Sequence, residues 1–216
     1  MMALKYLLPI AFCSFLMISC SGTKVNDSWA RQDYKKNIEN VYIIGMVMDD
    51  MHRMIFENTL KIRLAEEGVQ AFPSHYNFSQ ILHEEQDSFL KKMQDYGCDA
   101  VLLTRIVEQR TKATFTSKSR TPRYVSRNIQ GDQDYQRFPY DSIRINSYSA
   151  GYKALPPKPS ATSLVVLTVE SLLYDLPTEK LVWVARMETD LERDLTAMIQ
   201  KLVEETVKNL KEESVL

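Results

Sequence analysis

The sequence is poor in cysteine, glycine and histidine, and each shortage excludes a class of protein. Its 216 residues include three cysteines, six glycines and three histidines. The glycines are never clustered, so the chain has neither a phosphate loop nor a dinucleotide-binding fingerprint. The charge is also balanced, with 27 basic against 28 acidic side chains. Nothing in this overall charge favours nucleic acid as a partner.

The apolar run at the start of the chain is too short to span a bilayer. It covers about thirteen residues, Tyr6–Ile18, whereas a membrane-spanning helix needs roughly 20. Lys5 precedes the run, and Ser19 and Cys20 follow it. This order is typical of a secretory signal, and its end resembles the bacterial lipobox, in which the signal is cut before an acylated cysteine. We therefore expect a signal peptide over residues 1–19 and lipidation at Cys20. The alternative is an ordinary signal with an incidental Cys20.

Lipidation at Cys20 would tether the protein to a membrane leaflet without spanning it, because two or three acyl chains hold a protein stably. Ser21 follows the cysteine, where an Asp retains enterobacterial lipoproteins on the inner membrane. By that resemblance, we expect the periplasmic face of the outer membrane. With Cys13 in the signal and Cys20 lipidated, only Cys98 remains, so no intrachain disulfide can form. Its apolar surroundings predict a buried, unreactive thiol.

The rest of the chain predicts one domain after a short polar stretch. Residues 20–38 are expected to be the lipidated cysteine and a flexible tether, and residues 39–216 a single α/β domain with a long irregular segment at about 117–161. Apolar periodicity predicts strands near residues 41–48, 69–72, 100–115, 164–175 and 181–187, and helices over 51–67, up to 96, and 192–212. The order β-α-β-α-β-β-β-α implies a mixed sheet of about five strands with helices packed on it.

Three stretches carry a family resemblance: VYIIGMVMDDMHRMIFENTLKIRLAEEGVQAFPS, YGCDAVLLTRI and LLYDLPTEKLVWVARMET. Together they resemble small bacterial envelope lipoproteins of unknown function, in which an arginine and a glutamate correspond to Arg53 and Glu57. The arrangement also looks like the α/β domain of the curli-secretion lipoprotein, the peptidoglycan-synthase activator lipoprotein and the Tol–Pal propeller protein's first domain. The resemblance spans about residues 39–116 and 162–210. It implies binding and assembly in the envelope rather than catalysis.

No catalytic or metal-binding pattern is evident. His75 and His83 lie near Glu84 and Glu85, but their spacing matches no known metal site, and solvated side chains are the simpler interpretation. A G-x-S-x-G elbow is absent. Asp49 and Asp50 follow a strand, where α/β proteins place ligands, yet a helix cap explains them better. Arg53 and Glu57 are four residues apart and predict a surface or interface salt bridge.

The irregular middle segment is the strongest functional candidate. Six basic residues lie between positions 110 and 127 with no acidic residue among them, and aromatic residues are interspersed. The residues that we expect to bind a partner are Arg110, Lys112, Arg120, Arg123, Tyr124, Arg127 and Tyr140. In the periplasm, anionic partners would be lipid headgroups or lipopolysaccharide, peptidoglycan carboxylates, or an acidic protein face. The alternative is a solvated loop with a few tyrosines packed on the sheet.

These patterns favour a non-catalytic, membrane-anchored accessory factor that binds another envelope protein or peptidoglycan, without a cofactor and without nucleic acid. Two alternatives from other classes stay open. One is a cell-wall hydrolase or metal-dependent enzyme. The other is a structural lipoprotein that self-associates into a homo-oligomer through a free sheet edge.

Overall fold

The computed structural model describes residues 22–46, 49–76, 86–113, 163–191 and 194–216. A short 3₁₀ turn, Ser74–Tyr76, follows the third strand. The helices and strands of these ranges are, in chain order, β1 (Thr23–Ala30), β2 (Asn40–Met46), α1 (Asp50–Glu66), β3 (Gln70–Pro73), α2 (Gln86–Asp95), β4 (Ala100–Ala113), β5 (Ser163–Asp175), β6 (Lys180–Asp190) and α3 (Leu195–Glu212).

The strands form one mixed sheet in the order β1-β6-β5-β4-β2-β3. Strand β2 is parallel to both β3 and β4, while β4, β5, β6 and β1 follow one another in antiparallel pairs. The predicted α/β class with a mixed sheet is therefore confirmed. The sheet has six strands rather than about five, because the stretch before β2 contributes a strand.

The predicted strand–helix–strand unit, β2-α1-β3, is present within one or two residues of its expected bounds. The Asp49 side chain accepts a hydrogen bond from the His52 backbone N–H and so caps α1. Phe56, Leu60 and Leu64 are at most 1 % exposed, which confirms the apolar stripe. Gly68 follows α1 with a φ of +83°, a conformation that glycine adopts without the steric cost of a Cβ.

The prediction of a flexible tether over residues 20–38 is wrong for the part of it that the structure describes. Thr23–Ala30 forms the edge strand β1, paired with β6 from Thr23↔Thr189 to Ala30↔Trp183. The connection to β2 is also fixed, because Tyr34 and Lys36 both donate to the Asp175 carboxylate, at 3.3 and 2.7 Å. The polar sequence of β1 is compatible with an edge strand that has one solvent-facing side.

Two hydrophobic cores lie on opposite faces of the sheet. On one face, α1 and α3 cover apolar residues of all the longer strands. On the other face, Phe89, Leu90 and Met93 of α2 pack against Tyr42, Leu172 and their neighbours. The ring of Phe89 meets that of Tyr42 edge to face, with centroids 5.9 Å apart. The smaller helix therefore covers only part of its face, and this leaves the other part to polar side chains.

Helix α3 lies across the sheet as its apolar stripe predicts. Asp194 caps its N-terminus by accepting from the Thr196 and Ala197 N–H groups. The indole N–H of the buried Trp183 donates to Asn209 Oδ1 at 3.1 Å, which fixes the helix against β6. Among the described residues, none of the helices is both long and apolar enough to cross a bilayer.

Cys98 is a buried free cysteine, 6 % exposed. Burial, assisted by the neighbouring Asp99 carboxylate, raises the pKa of its thiol to about 12. At neutral pH the thiolate population is therefore very small, and the thiol is a poor nucleophile. The structure confirms the prediction that Cys98 is buried.

Candidate functional site

The part of the α2 face that α2 leaves uncovered carries charged residues of four adjacent strands. We call this surface the charged face. It includes the predicted partner-binding residue Arg110, and cation and carboxylate alternate across the strands in the row Arg105–Glu170–Arg186. Its members are Lys24, Arg105, Glu108, Arg110, Glu170, Arg186 and Glu188.

Glu170 is the buried centre of the charged face. It is 0 % exposed and stands opposite Arg105 of β4 and Arg186 of β6 in the strand register. Arg105 donates through Nε and Nη2 to Glu170 Oε2, at 3.0 and 2.8 Å, and Arg186 Nη2 donates to Oε1 at 2.9 Å. The two guanidinium groups thus hold one carboxylate between them, and charge-assisted bonds of this kind are stronger than neutral ones.

Arg110 lies further along the same face and is also paired. It forms ion pairs with Glu188 of β6 and with Glu108, the latter at 3.6 Å, and its side chain is 38 % exposed. Lys24 of β1 adds a longer contact to Glu188, 3.8 Å. The sequence predicted Arg110 as the start of a basic run without acidic neighbours. In the fold, Arg110 pairs with Glu188 of another strand and with Glu108 of its own strand, so the surface has mixed charge at this position.

Of the other predicted site residues, the structure describes only the backbone of Lys112. Lys112 lies in β4 opposite Leu164, and its side chain is outside the described residues. Outside the described residues altogether are Cys20, Arg120, Arg123, Tyr124, Arg127 and Tyr140. The structure thus brings Arg110 together with Arg105 and Arg186, two arginines that the sequence did not single out. Their alternation with Glu170 becomes visible only once the register of β4, β5 and β6 is known.

A second polar cluster lies where β2 ends, and it corrects the expectation for Arg53 and Glu57. The predicted surface salt bridge is wrong in its placement, because Glu57 is 0 % exposed and Arg53 only 5 %. The Arg53 guanidinium reaches back to Asp50 at 2.7 Å. Glu57 instead accepts hydrogen bonds from the 3₁₀ turn and from β2. Helix α1 presents one face to the sheet, and both residues fall on that face.

The bonds to Glu57 are short and use both of its oxygens. Oε1 accepts from the Gly45 N–H at 2.8 Å and from Ser74 Oγ at 2.6 Å. Oε2 accepts from the His75 N–H at 2.8 Å and contacts His75 Nδ1 at 2.9 Å. Strand β3 stops pairing with β2 at Ile43↔Pro73, so the carboxylate takes over as acceptor for Gly45. This cluster joins three elements and is a structural tie.

Gly45 permits this close approach of α1 to β2. A Cβ at this position would lie 3.0 Å from Phe56 Cδ1 and 3.4 Å from Glu57 Cγ. Because Ser74 and His75 both donate to Glu57, and Ser74 is fully buried, the three residues do not form a nucleophile–base pair open to a substrate. The arrangement suits stability rather than acyl transfer.

The histidines show no metal site within the described ranges. No group of three or more His, Cys, Asp or Glu side chains there converges on one point, and His83 lies outside those ranges. His52 packs on the cap of α1, with Nδ1 2.8 Å from the Asp49 carboxylate. Partial burial raises the pKa of Asp49, but its bonds from the His52 backbone and ring outweigh this and hold the pKa below its usual value.

A groove of about 250 Å³ runs along the outer edge of β3. Its walls are largely aromatic, with Tyr76 and Tyr96 more than half exposed. The lining residues are Tyr42, Lys61, Gln70, Ala71, Phe72, Pro73, Tyr76 and Tyr96. No sequence pattern indicates this groove, because its residues come from β2, α1, β3, the 3₁₀ turn and the residue after α2.

No family model matches this chain, and no curated protein matches it. Among solved structures, the PelC dodecamer from Paraburkholderia phytofirmans is 13 % identical, covers 85 % of this chain and 96 % of its own, and gives a TM-score of 0.39. Lipoprotein GNA1162 from Neisseria meningitidis is 14 % identical, covers 79 % and 99 %, and gives 0.38. Neither is one of the named proteins that the sequence resembles, so that resemblance stays an expectation. These likenesses are too weak to indicate a function or an assembly.

Proposed function

We propose that this chain is a lipid-anchored, non-catalytic binding protein of the bacterial envelope, an accessory factor for assembly or secretion. It would be held through Cys20 on the periplasmic face of the outer membrane and would bind an envelope protein or peptidoglycan. The signal and the lipobox pattern support the anchor.

The observation that carries the proposal is the charged face itself. Arg105 and Arg110 are 30 % and 38 % exposed, and they lie on a strand that leads straight into the segment with Arg120, Arg123 and Arg127. A partly exposed network of mixed charge on a rigid sheet can exchange internal ion pairs for contacts with a partner. Complementary charge of this kind favours specificity and fast association.

The test is crosslinking in living cells, followed by purification through a C-terminal tag and identification of what is attached. We expect one enriched envelope component with the native chain. Changing Arg120, Arg123 and Arg127 to Ser together should abolish its capture. A matched variant, with Lys61, Lys91 and Lys208 changed to Ser, removes the same charge from exposed helix positions and should capture normally. Equal capture by both variants would contradict the proposal.

A second candidate, a self-associating structural lipoprotein, is favoured by the edge strand β1. Within the described part of the sheet, this eight-residue strand pairs on one side only, with β6. An open edge of this length can add a strand from another chain. Light scattering of the domain without its lipid, residues 21–216, would show a defined oligomer if this candidate is right, and a monomer if it is wrong.

A further inference from the structure

The chain is fixed in the sheet almost immediately after the expected lipidation site. The Asp190 N–H donates to the Gly22 carbonyl at 3.1 Å, and Thr23 pairs with Thr189. The Thr23 and Thr189 hydroxyls are also 2.7 Å apart and buried. The sheet thus holds the chain from Gly22 onward, and only Ser21 separates Gly22 from Cys20.

This short connection limits how far the domain can stand from its anchor. Consecutive Cα atoms are about 3.8 Å apart, so the Cα atoms of Cys20 and Gly22 can be separated by at most about 7 Å. An acylated Cys20 holds its lipid chains in the leaflet, with the sulfur at the level of the headgroups. The start of β1 must therefore also lie near the headgroups.

The strand register shows which other parts share that end of the sheet. One row across β1, β6, β5 and β4 contains Thr23, Thr189, Leu167 and Gln109, in that order. Beyond this row, on the Cys20 side, β4 and β5 continue together for four more pairs, to Ala113↔Ser163. We call this extension, residues 110–113 and 163–166, the ribbon. At about 3.3 Å per residue, it projects about 13 Å past the start of β1.

We propose that the ribbon contacts the phospholipid headgroups of the leaflet that holds Cys20, and that the sheet stands on the membrane by this end; the proposal rests on the proposed lipidation. The ribbon contains Arg110 and Lys112 and no acidic residue. Basic residues are attracted to an anionic leaflet. Arg110 shares its charge with Glu188, so the geometry of the anchor is the main cause of the contact and charge adds to it.

The opposite end of the sheet then faces away from the membrane. From Leu167 to Asp175, β5 rises by about 26 Å, so the β5–β6 turn lies well clear of the headgroups. This gives a matched pair of positions for a test. Gln109, on the row of Thr23, and Lys180, at the start of β6, are both exposed.

The experiment uses the full chain, lipidated in cells and reconstituted into vesicles whose phospholipid carries an energy-transfer acceptor on its headgroup, because such an acceptor quenches a fluorophore without direct contact. A single fluorophore is attached to Gln109→Cys or to Lys180→Cys, in a Cys98→Ala background. We expect strong quenching of the fluorophore at position 109 and little at position 180. Equal quenching at both positions, or stronger quenching at position 180, would overturn the orientation.

Vesicle flotation shows whether a negative result comes from a missing lipid anchor or from a wrong orientation of the sheet. A chain that does not float with the vesicles lacks the anchor, which overturns the proposed lipidation and this inference with it. A chain that floats without quenching at position 109 keeps the anchor and overturns the ribbon contact alone. Inserting about twelve Gly and Ser residues between Gly22 and Thr23 creates a flexible linker and should lower the quenching at position 109. Unchanged quenching would contradict the role of the short connection.

Discussion

Glu57 and Glu170 are both fully buried carboxylates, yet different kinds of donor hold them. Two backbone N–H groups, a hydroxyl and an imidazole surround Glu57. Two guanidinium groups from neighbouring strands hold Glu170. Glu57 is bound mainly by backbone and turn groups. Glu170 is bound by arginine side chains, which can turn to other partners.

This difference separates a structural tie from a surface that can change partners. Every residue except proline carries the backbone donor at positions 45 and 75, so these N–H groups need an acceptor whenever the domain is folded. Arg105, in contrast, is 30 % exposed and can turn toward water or toward a partner. The Glu57 cluster therefore stabilises the domain, whereas the Glu170 cluster is suited to recognition.

The largest expected effect is at Glu57. Glu57→Ala leaves two buried donors, of Gly45 and Ser74, and the part-buried His75 N–H without their acceptor, and we expect it to lower the free energy of unfolding by about 4 kcal/mol. Urea denaturation of the lipid-free domain measures this. Glu66→Ala is the matched control, because Glu66 is exposed on the same helix, and it should cost less than about 1 kcal/mol.

If Glu57→Ala does not fold, Glu57→Gln keeps one carbonyl acceptor and the side-chain shape. It should fold with an intermediate loss of about 2 kcal/mol. A Glu57→Ala domain as stable as the Glu66→Ala control would contradict the structural tie.

Glu170→Ala should have a smaller effect, about 2 to 3 kcal/mol. It leaves the buried Arg186 without this carboxylate, but the partly exposed Arg105 regains water. The sharper measurement is the double variant Glu170→Leu, Arg186→Met, because replacing both ends of a buried ion pair by apolar groups is often neutral. We expect it to recover most of the lost stability. A double variant less stable than Glu170→Ala would show that the two clusters are alike.

The sequence predicted well those elements whose signals are local. The unit β2-α1-β3, the β5–β6 hairpin and α3 follow from apolar periodicity, from caps such as Asp49, and from Gly68. Each of these signals lies within a few residues of the element that it predicts. Tertiary packing therefore changes these predicted elements little.

The features that the sequence did not predict depend on contacts between residues that are far apart in the chain. Strand β1 has the polar sequence Thr-Lys-Val-Asn-Asp-Ser-Trp-Ala, and only its pairing with β6, more than 150 residues away, makes it a strand. Glu57 looked like half of a surface ion pair, because its acceptor role depends on where β3 leaves β2. On the charged face, Arg110 could be singled out from the sequence. Its cross-strand partner Glu188 could not be assigned without the register of β4, β5 and β6.

The smallest effect concerns a third buried carboxylate, Asp175, which holds the connection once expected to be a tether. Burial raises the pKa of Asp175, but hydrogen bonds from Lys36 and Thr178 outweigh it and leave the pKa below its usual value. A lowered pKa means that the ionised carboxylate stabilises the fold above pH 4, and that this contribution is lost as the pH falls through the folded-state pKa. Asp175→Asn should therefore cost about 1 kcal/mol at pH 7 and progressively less toward pH 3, in urea denaturation at several pH values. Asp33→Asn, at an exposed position of the same connection, should show no such trend. The difference in stability between the native and Asp175→Asn chains could instead stay constant or grow in acid. Either result would contradict the ion pair as the cause and would show that neutral donors hold Asp175, as they hold Glu57.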